Sequence, residues 1–177
     1  MVYCSLVIDN LQSDKRFIRL FGEILAKDYK SRTFGFSTDI LSMKCVDVDL
    51  KEADNRGNHK KTMDLMAGVA DFDGRTGKYT SQRLLPVELK LDCKSMNGIK
   101  DSDLVDKDSY TRRMFTGVII DRRSVFIFRE GTVINQALSK LRRWKKGPDS
   151  SVMKQWEFLS PAQFNEYISN GKKIVKL

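Results

Sequence analysis

The sequence predicts an α/β fold in which a mixed β-sheet is flanked by helices. Two helical stripes and the short apolar runs between them carry that expectation. Phe17, Leu20, Phe21, Ile24 and Leu25 recur at the spacing of one helix face, as do Val133, Ile134, Ala137, Leu138, Leu141 and Trp144. Between the stripes lie four strand-like runs at 44–50, 62–70, 83–91 and 125–128.

The elements follow in order. The first helix is expected over residues 13–29, with Ser13 as its cap and Asp14 at its positive end. In 44–50, Val46, Val48 and Leu50 alternate with Asp47 and Asp49, as in a strand with one wet face. The polar stretch 51–61 reads as a loop and carries His59, the one histidine. Residues 62–70 and 83–91 form a hairpin, with its turn starting at Asp71-Phe72-Asp73-Gly74 and a long loop through Gln82. A less regular helix is expected over 103–115. Residues 118–120 and 125–128 are strand-like. The stripe from Val133 to Trp144 is stopped by Gly147-Pro148, 152–158 is a short strand, and Ser160-Pro161 starts a last helix.

The 177 residues suit one domain spanning 1–177, and no run of apolar residues reaches the ~20 needed to cross a membrane. The N-terminus lacks a basic leader, so a cytoplasmic location is expected. Cys4, Cys45 and Cys93 are far apart and form no CxxC pair, which argues against a zinc site or a disulfide framework. The formal net charge of +9 favours a polyanionic partner, nucleic acid first among them. Phosphate loops, dinucleotide fingerprints, HExxH and GxSxG are all absent.

The sharpest local feature is Leu84-Leu85-Pro86-Val87-Glu88-Leu89-Lys90. On a strand, Leu85, Val87, Leu89 and Leu91 share one face, and Glu88 and Lys90 share the other. A carboxylate there can bind a hard divalent cation. An ammonium beside it can orient or help deprotonate water, or stabilise charge growing on a phosphate. A second carboxylate is expected close by. Asp64 is the first choice, at the start of the strand that pairs with the Glu88 strand. Asp71 and Asp73 are its rivals, and Asp92-Cys93-Lys94 is a second acid-x-lysine pair at the strand's exit.

With this array the chain resembles the PD-(D/E)xK nuclease superfamily, which includes restriction endonucleases and Holliday junction resolvases. The resemblance covers about 13–128 and rests on Asp64, Glu88, Lys90 and the element order. It implies a restriction-endonuclease-like αβββαβ core with a C-terminal helical extension. Asp64, Glu88 and the Leu89 carbonyl would bind Mg²⁺ or Mn²⁺, and Lys90 would position or activate water. The expected activity is a metal-dependent endonuclease, with DNA ahead of RNA as substrate. A homodimer would let both strands be cut. Met63 stands where the family's name motif has proline.

Several residues extend the expected site. Glu23 in the first helix is an additional ligand candidate, although the helical wheel also makes it a surface partner of Lys27. His59, Lys60 and Lys61 precede Asp64 and could reach the scissile phosphate. Arg112, Arg113, Arg142 and Arg143 are candidate nucleic-acid contacts, and the last two equally suit a helix C-terminus. Two other readings stay open: a nucleic-acid-binding module on the same fold with little or no catalysis, and a regulatory interaction domain.

Overall fold

The computed structural model describes residues 1–30, 32–53, 61–148 and 150–169, without the side chains of Gln12 and Ser13. These residues form a seven-stranded mixed sheet between two layers of helices. Its path is β2 (Ile18–Leu20), β3 (Lys44–Asp47), β4 (Leu65–Asp73), β5 (Lys78–Lys90), β6 (Ser124–Phe128) and β7 (Trp156–Leu159), and β1 (Val2–Tyr3) adds to β4. The pairs from β2 to β5 are antiparallel, whereas β5–β6 and β6–β7 are parallel. Parallel neighbours need a crossover. Helix α5 (Asp101–Met114) supplies it between β5 and β6, and α6 (Thr132–Trp144) with α7 (Ser150–Met153) supplies it between β6 and β7.

Strand alternation sorts the core into two faces. Leu65, Ala67, Val69, Leu85, Val87, Leu89, Val125 and Ile127 pack under α2 (Phe21–Tyr29), α3 (Thr38–Leu41) and α8 (Pro161–Ser169). On the other face, Phe126, Phe128 and Phe158 lie under α6, while Val46, Met66 and Leu84 lie under α1 (Ser5–Asp9) and the 3-10 helix Gln12–Phe17. Gly68 is where α1 comes closest. A Cβ there would stand 2.5 Å from the Cys4 carbonyl oxygen, so the strand needs glycine at that position.

The expected helix over 13–29 is instead three elements: the 3-10 turn, β2 and α2. Four residues of its stripe, Phe17, Phe21, Ile24 and Leu25, are buried, whereas Leu20 is exposed at the end of β2. The backbone extends at Ile18–Leu20 because those residues pair with Val46, Cys45 and Lys44. The alternating run 44–50 also divides. Asp47 accepts a hydrogen bond from the Leu50 amide (2.9 Å) and caps α4 (Val48–Ala53), so a capping signal overrides the alternation. The hairpin strands run further than expected, to Asp73 and from Lys78, and Asp73 fastens the turn through the Arg75 amide and the Thr76 hydroxyl. Residues 118–120 contribute one bridge, Leu84 to Ile120. Within 152–158 the chain turns through α7 before β7 begins. At α8, Ser160 and Gln163 form a reciprocal cap.

Candidate active site

Antiparallel pairing of β4 with β5 places the start of one strand beside the end of the other. Leu65 pairs with Val87, so Asp64 and Glu88, one residue further out, meet at this edge. Asp64 Oδ2 accepts a hydrogen bond from the Leu89 amide at 2.5 Å. The expected Asp64–Glu88–Lys90 cluster is therefore assembled by the hairpin.

Glu88 does not lie on a wet face. It is fully buried, and its Oε1 accepts from the ammoniums of Lys90 and of Lys107 in α5, the latter at 2.6 Å. Its Oε2 is buried and has no hydrogen-bond partner among the described residues. A carboxylate oxygen out of water without a donor is costly unless something positive meets it. Lys107 was not anticipated from sequence. The one available signal is its place three residues after buried Leu104, on a helix whose other buried residues are Asp108 and Thr111. A helix with so polar a buried stripe covers something other than an apolar core.

The electrostatics differ from one group to the next. Burial pushes the Asp64 carboxyl well above its ordinary range, and the Glu88 charge pushes the same way. The Leu89 amide and the two lysines oppose the shift. For Lys90, burial alone would lower the ammonium's pKa, but the charge and hydrogen bond of Glu88, with Asp64 and Lys107 adding to them, make the net shift upward. Lys90 is thus held as a cation, suited to donating hydrogen bonds and balancing charge, and poorly suited to act as a base.

The last turn of α2 reaches the same edge. Tyr29 donates its hydroxyl to the Leu89 carbonyl at 3.0 Å, which leaves that carbonyl one lone pair. The carboxyl of Asp28 is raised, mainly by burial, with Asp49, Asp47 and Glu88 adding to the shift. Lys61, Lys90 and Lys107 line a cleft of about 380 Å³ with Gly98, Ile99, Asp103 and Leu104. Three lysines on one cleft beside two carboxylates suit a phosphate-bearing ligand.

Other expected residues lie elsewhere. Glu23 is exposed and accepts from the Leu20 amide (2.8 Å), so it caps its own helix and is not turned toward Glu88. Asp71 is at the far end of β4, held by both terminal nitrogens of Arg83 at 3.1 Å. Asp73 belongs to the turn. Asp92 is exposed, 4.0 Å from Arg32. Arg112 is structural: it grips Asp108, Ser124 and the carbonyls of Asp121, Arg122 and Arg123. Arg113 is exposed, with its guanidinium over the Tyr110 ring. Arg142 and Arg143 are exposed in the last turn of α6. Lys61 is exposed and 4.0 Å from Asp103, whereas His59 and Lys60 fall outside the described residues.

Among the described residues, no group of three or more His, Cys, Asp or Glu side chains is arranged to hold a metal ion, and no helix is long and apolar enough to cross a membrane. Comparison with family models, curated proteins and solved structures gave no match.

Proposed function

We propose that this protein is a metal-dependent nuclease of the PD-(D/E)xK type, hydrolysing phosphodiester bonds in nucleic acid, DNA before RNA. The observation that carries the reading is the buried, unpartnered Oε2 of Glu88 beside Asp64, with two lysine ammoniums on the other oxygen. Topology supports it. Helix α2, strands β3, β4 and β5, helix α5 and strand β6 follow the order αβββαβ, with α3 and α4 as short additions, which is the element order the resemblance implies.

The donor set fits Mg²⁺ or Mn²⁺. Mg²⁺ is commonly held by one or two carboxylates and keeps several waters, so Asp64 and Glu88 suffice without a third acid. The free lone pair of the Leu89 carbonyl could complete the set. What a divalent cation supplies when bound is Lewis-acid charge at the phosphate and a more acidic water. The protein's own residues do the rest. Asp64 is oriented by the Leu89 amide. Lys90 donates to the attacking water or to a phosphate oxygen. Lys107 holds Glu88 in place and adds a second positive charge to the cleft.

One observation favours a binding module without chemistry. Both lysine ammoniums already pair with Glu88 Oε1, so the fully buried carboxylate is charge-compensated by the protein's own side chains. Melting with and without Mn²⁺ or Mg²⁺, beside cleavage of single-stranded and duplex DNA and RNA, separates the two. The nuclease reading expects the wild type to melt several degrees higher with Mn²⁺ and Glu88→Gln not to respond. Cleavage should disappear in Glu88→Gln and fall at least ~100-fold in Lys90→Met. Unchanged cleavage in either variant removes the assignment. A wild type with neither metal response nor cleavage hands the lead to the binding module.

A further inference from the structure

Beyond the catalytic cluster, one helix face stands out by chemistry. Helix α6 contains Lys140, Arg142 and Arg143 and no carboxylate along its whole length. Thr132, Asn135, Gln136, Ser139, Lys140 and Arg143 fall on one side of it and line a second cleft, of about 410 Å³, with Met96 and Asn97. Asn135, Ser139 and Arg143 are exposed and spaced four residues apart, one above the other on the helix.

This cleft is a neighbour of the lysine cleft. The segment leaving β5 passes between them: Met96 and Asn97 line the α6 side, and Gly98 and Ile99 line the side of Lys61, Lys90 and Lys107. That divider is pinned to α6. Gln136 Oε1 accepts from the Met96 amide (3.2 Å), and Lys140 Nζ donates to the carbonyls of Met96 (2.6 Å) and Ile99 (2.8 Å). Two side chains of the stripe are thus spent on fixing the divider. Thr132, Asn135, Ser139 and Arg143 remain to face whatever occupies the groove.

We infer that the α6 groove is the track for a nucleic-acid strand leaving the catalytic cleft, with Arg143 meeting a backbone phosphate and Asn135 and Ser139 hydrogen-bonding to phosphate or sugar. The inference rests on the nuclease reading for what happens in the first cleft, but not for the binding itself. Charge decides the occupant: a groove whose helix offers Arg143 and no carboxylate, next to a cleft lined by three lysines, matches a polyanion with regularly spaced charges. It also divides the two arginines named from sequence, since Arg143 lines the groove and Arg142 does not.

The test is fluorescence anisotropy of labelled 20-nucleotide single-stranded and duplex DNA in EDTA at ~100 mM salt, with polyglutamate as a second probe. Arg143→Glu should weaken DNA binding at least ~10-fold and flatten the salt dependence by one to two ions. Ser139→Glu, which adds an anion to the groove and leaves Arg143 and the divider in place, should weaken it comparably. Arg75→Glu is the matched control. Arg75 is exposed at the far hairpin turn, and its reversal should cost less than ~2-fold. Equal losses at 143 and 75, or none at either, overturn the track. So does tighter binding to polyglutamate than to DNA, which would make the groove a protein-docking surface. The metal-induced rise in melting temperature should be unchanged in Arg143→Glu. If that rise is missing in the wild type while the binding map holds, the nuclease reading fails and the track stands.

Discussion

The hairpin β4–β5 carries an acid–base cluster at each end, and the two are built on opposite principles. At the far end, Arg83 bridges Asp71 and Asp121, and Arg123 holds Asp121 from another side. Burial would raise the Asp121 carboxyl, but the hydrogen bonds from Arg123 and Arg83 hold it at about 2. Planar guanidinium groups satisfy both oxygens, and the cluster is closed. At the near end the cations are lysines. They converge on one oxygen of Glu88 and leave the other bare, and Asp64 is pushed up instead of down. Two carboxylates with saturated partners make a brace. Two carboxylates with partners on one side only make a place for something else.

The sharpest way to break the comparison is at the brace. Arg83→Leu leaves Asp121, which is nearly fully buried, and Asp71 without their shared cation. Asp121 keeps Arg123, so the loss falls short of a fully stranded buried charge, at about 2–4 kcal/mol. Urea denaturation should show a loss of that size, while the melting response to Mn²⁺ stays intact. Loss of that response together with stability would mean that the two ends act as one unit.

A smaller effect is expected at the site itself. Lys107→Met removes one of the two ammoniums on Glu88 Oε1 and leaves a fully buried carboxylate less well compensated, at about 1–3 kcal/mol. Because a divalent cation restores the missing positive charge, Mn²⁺ should raise the melting temperature of Lys107→Met by more than it raises that of the wild type. An equal or smaller rise would make Lys107 a scaffold residue with no electrostatic link to the metal position.

How far the sequence reached differs between these ends. Glu88 and Lys90 were legible because strand alternation fixes which side chains share a face, and Asp64 because a hairpin brings one strand's start to its partner's end. The two faces of β5 followed from the same period. Lys107 was not legible, because it comes from a helix whose register over the sheet is set by tertiary packing. The brace was missed for a related reason: Arg83, Asp71 and Asp121 are brought together by a hairpin longer than its apolar runs and by a bridge at Ile120. Asp47 shows the converse failure, where a true period-two pattern gave way to a cap. Glu23 fitted a family expectation but satisfied its own helix first.

The last contrast is in pH. Asp121 titrates below its ordinary value of 3.8, so its stabilising contribution is present above that pH and lost as pH falls toward 2. Asp64 titrates above 3.8, so its contribution is complete at acid pH and is lost as pH rises through its folded value. Asp64→Asn removes that loss and keeps an oxygen for the Leu89 amide. Without metal, the variant and the wild type should melt together near pH 4 and diverge as pH rises, with the variant the more stable. The gap should widen steadily from pH 4 to pH 8, because the charged form of Asp64 is the one that burial and the Glu88 charge disfavour. Mn²⁺ should reverse the order, because the wild type gains a ligand that the amide cannot replace in charge. Parallel melting curves from pH 4 to 8 would show that Asp64 carries no electrostatic penalty, and the near end would then be a second brace.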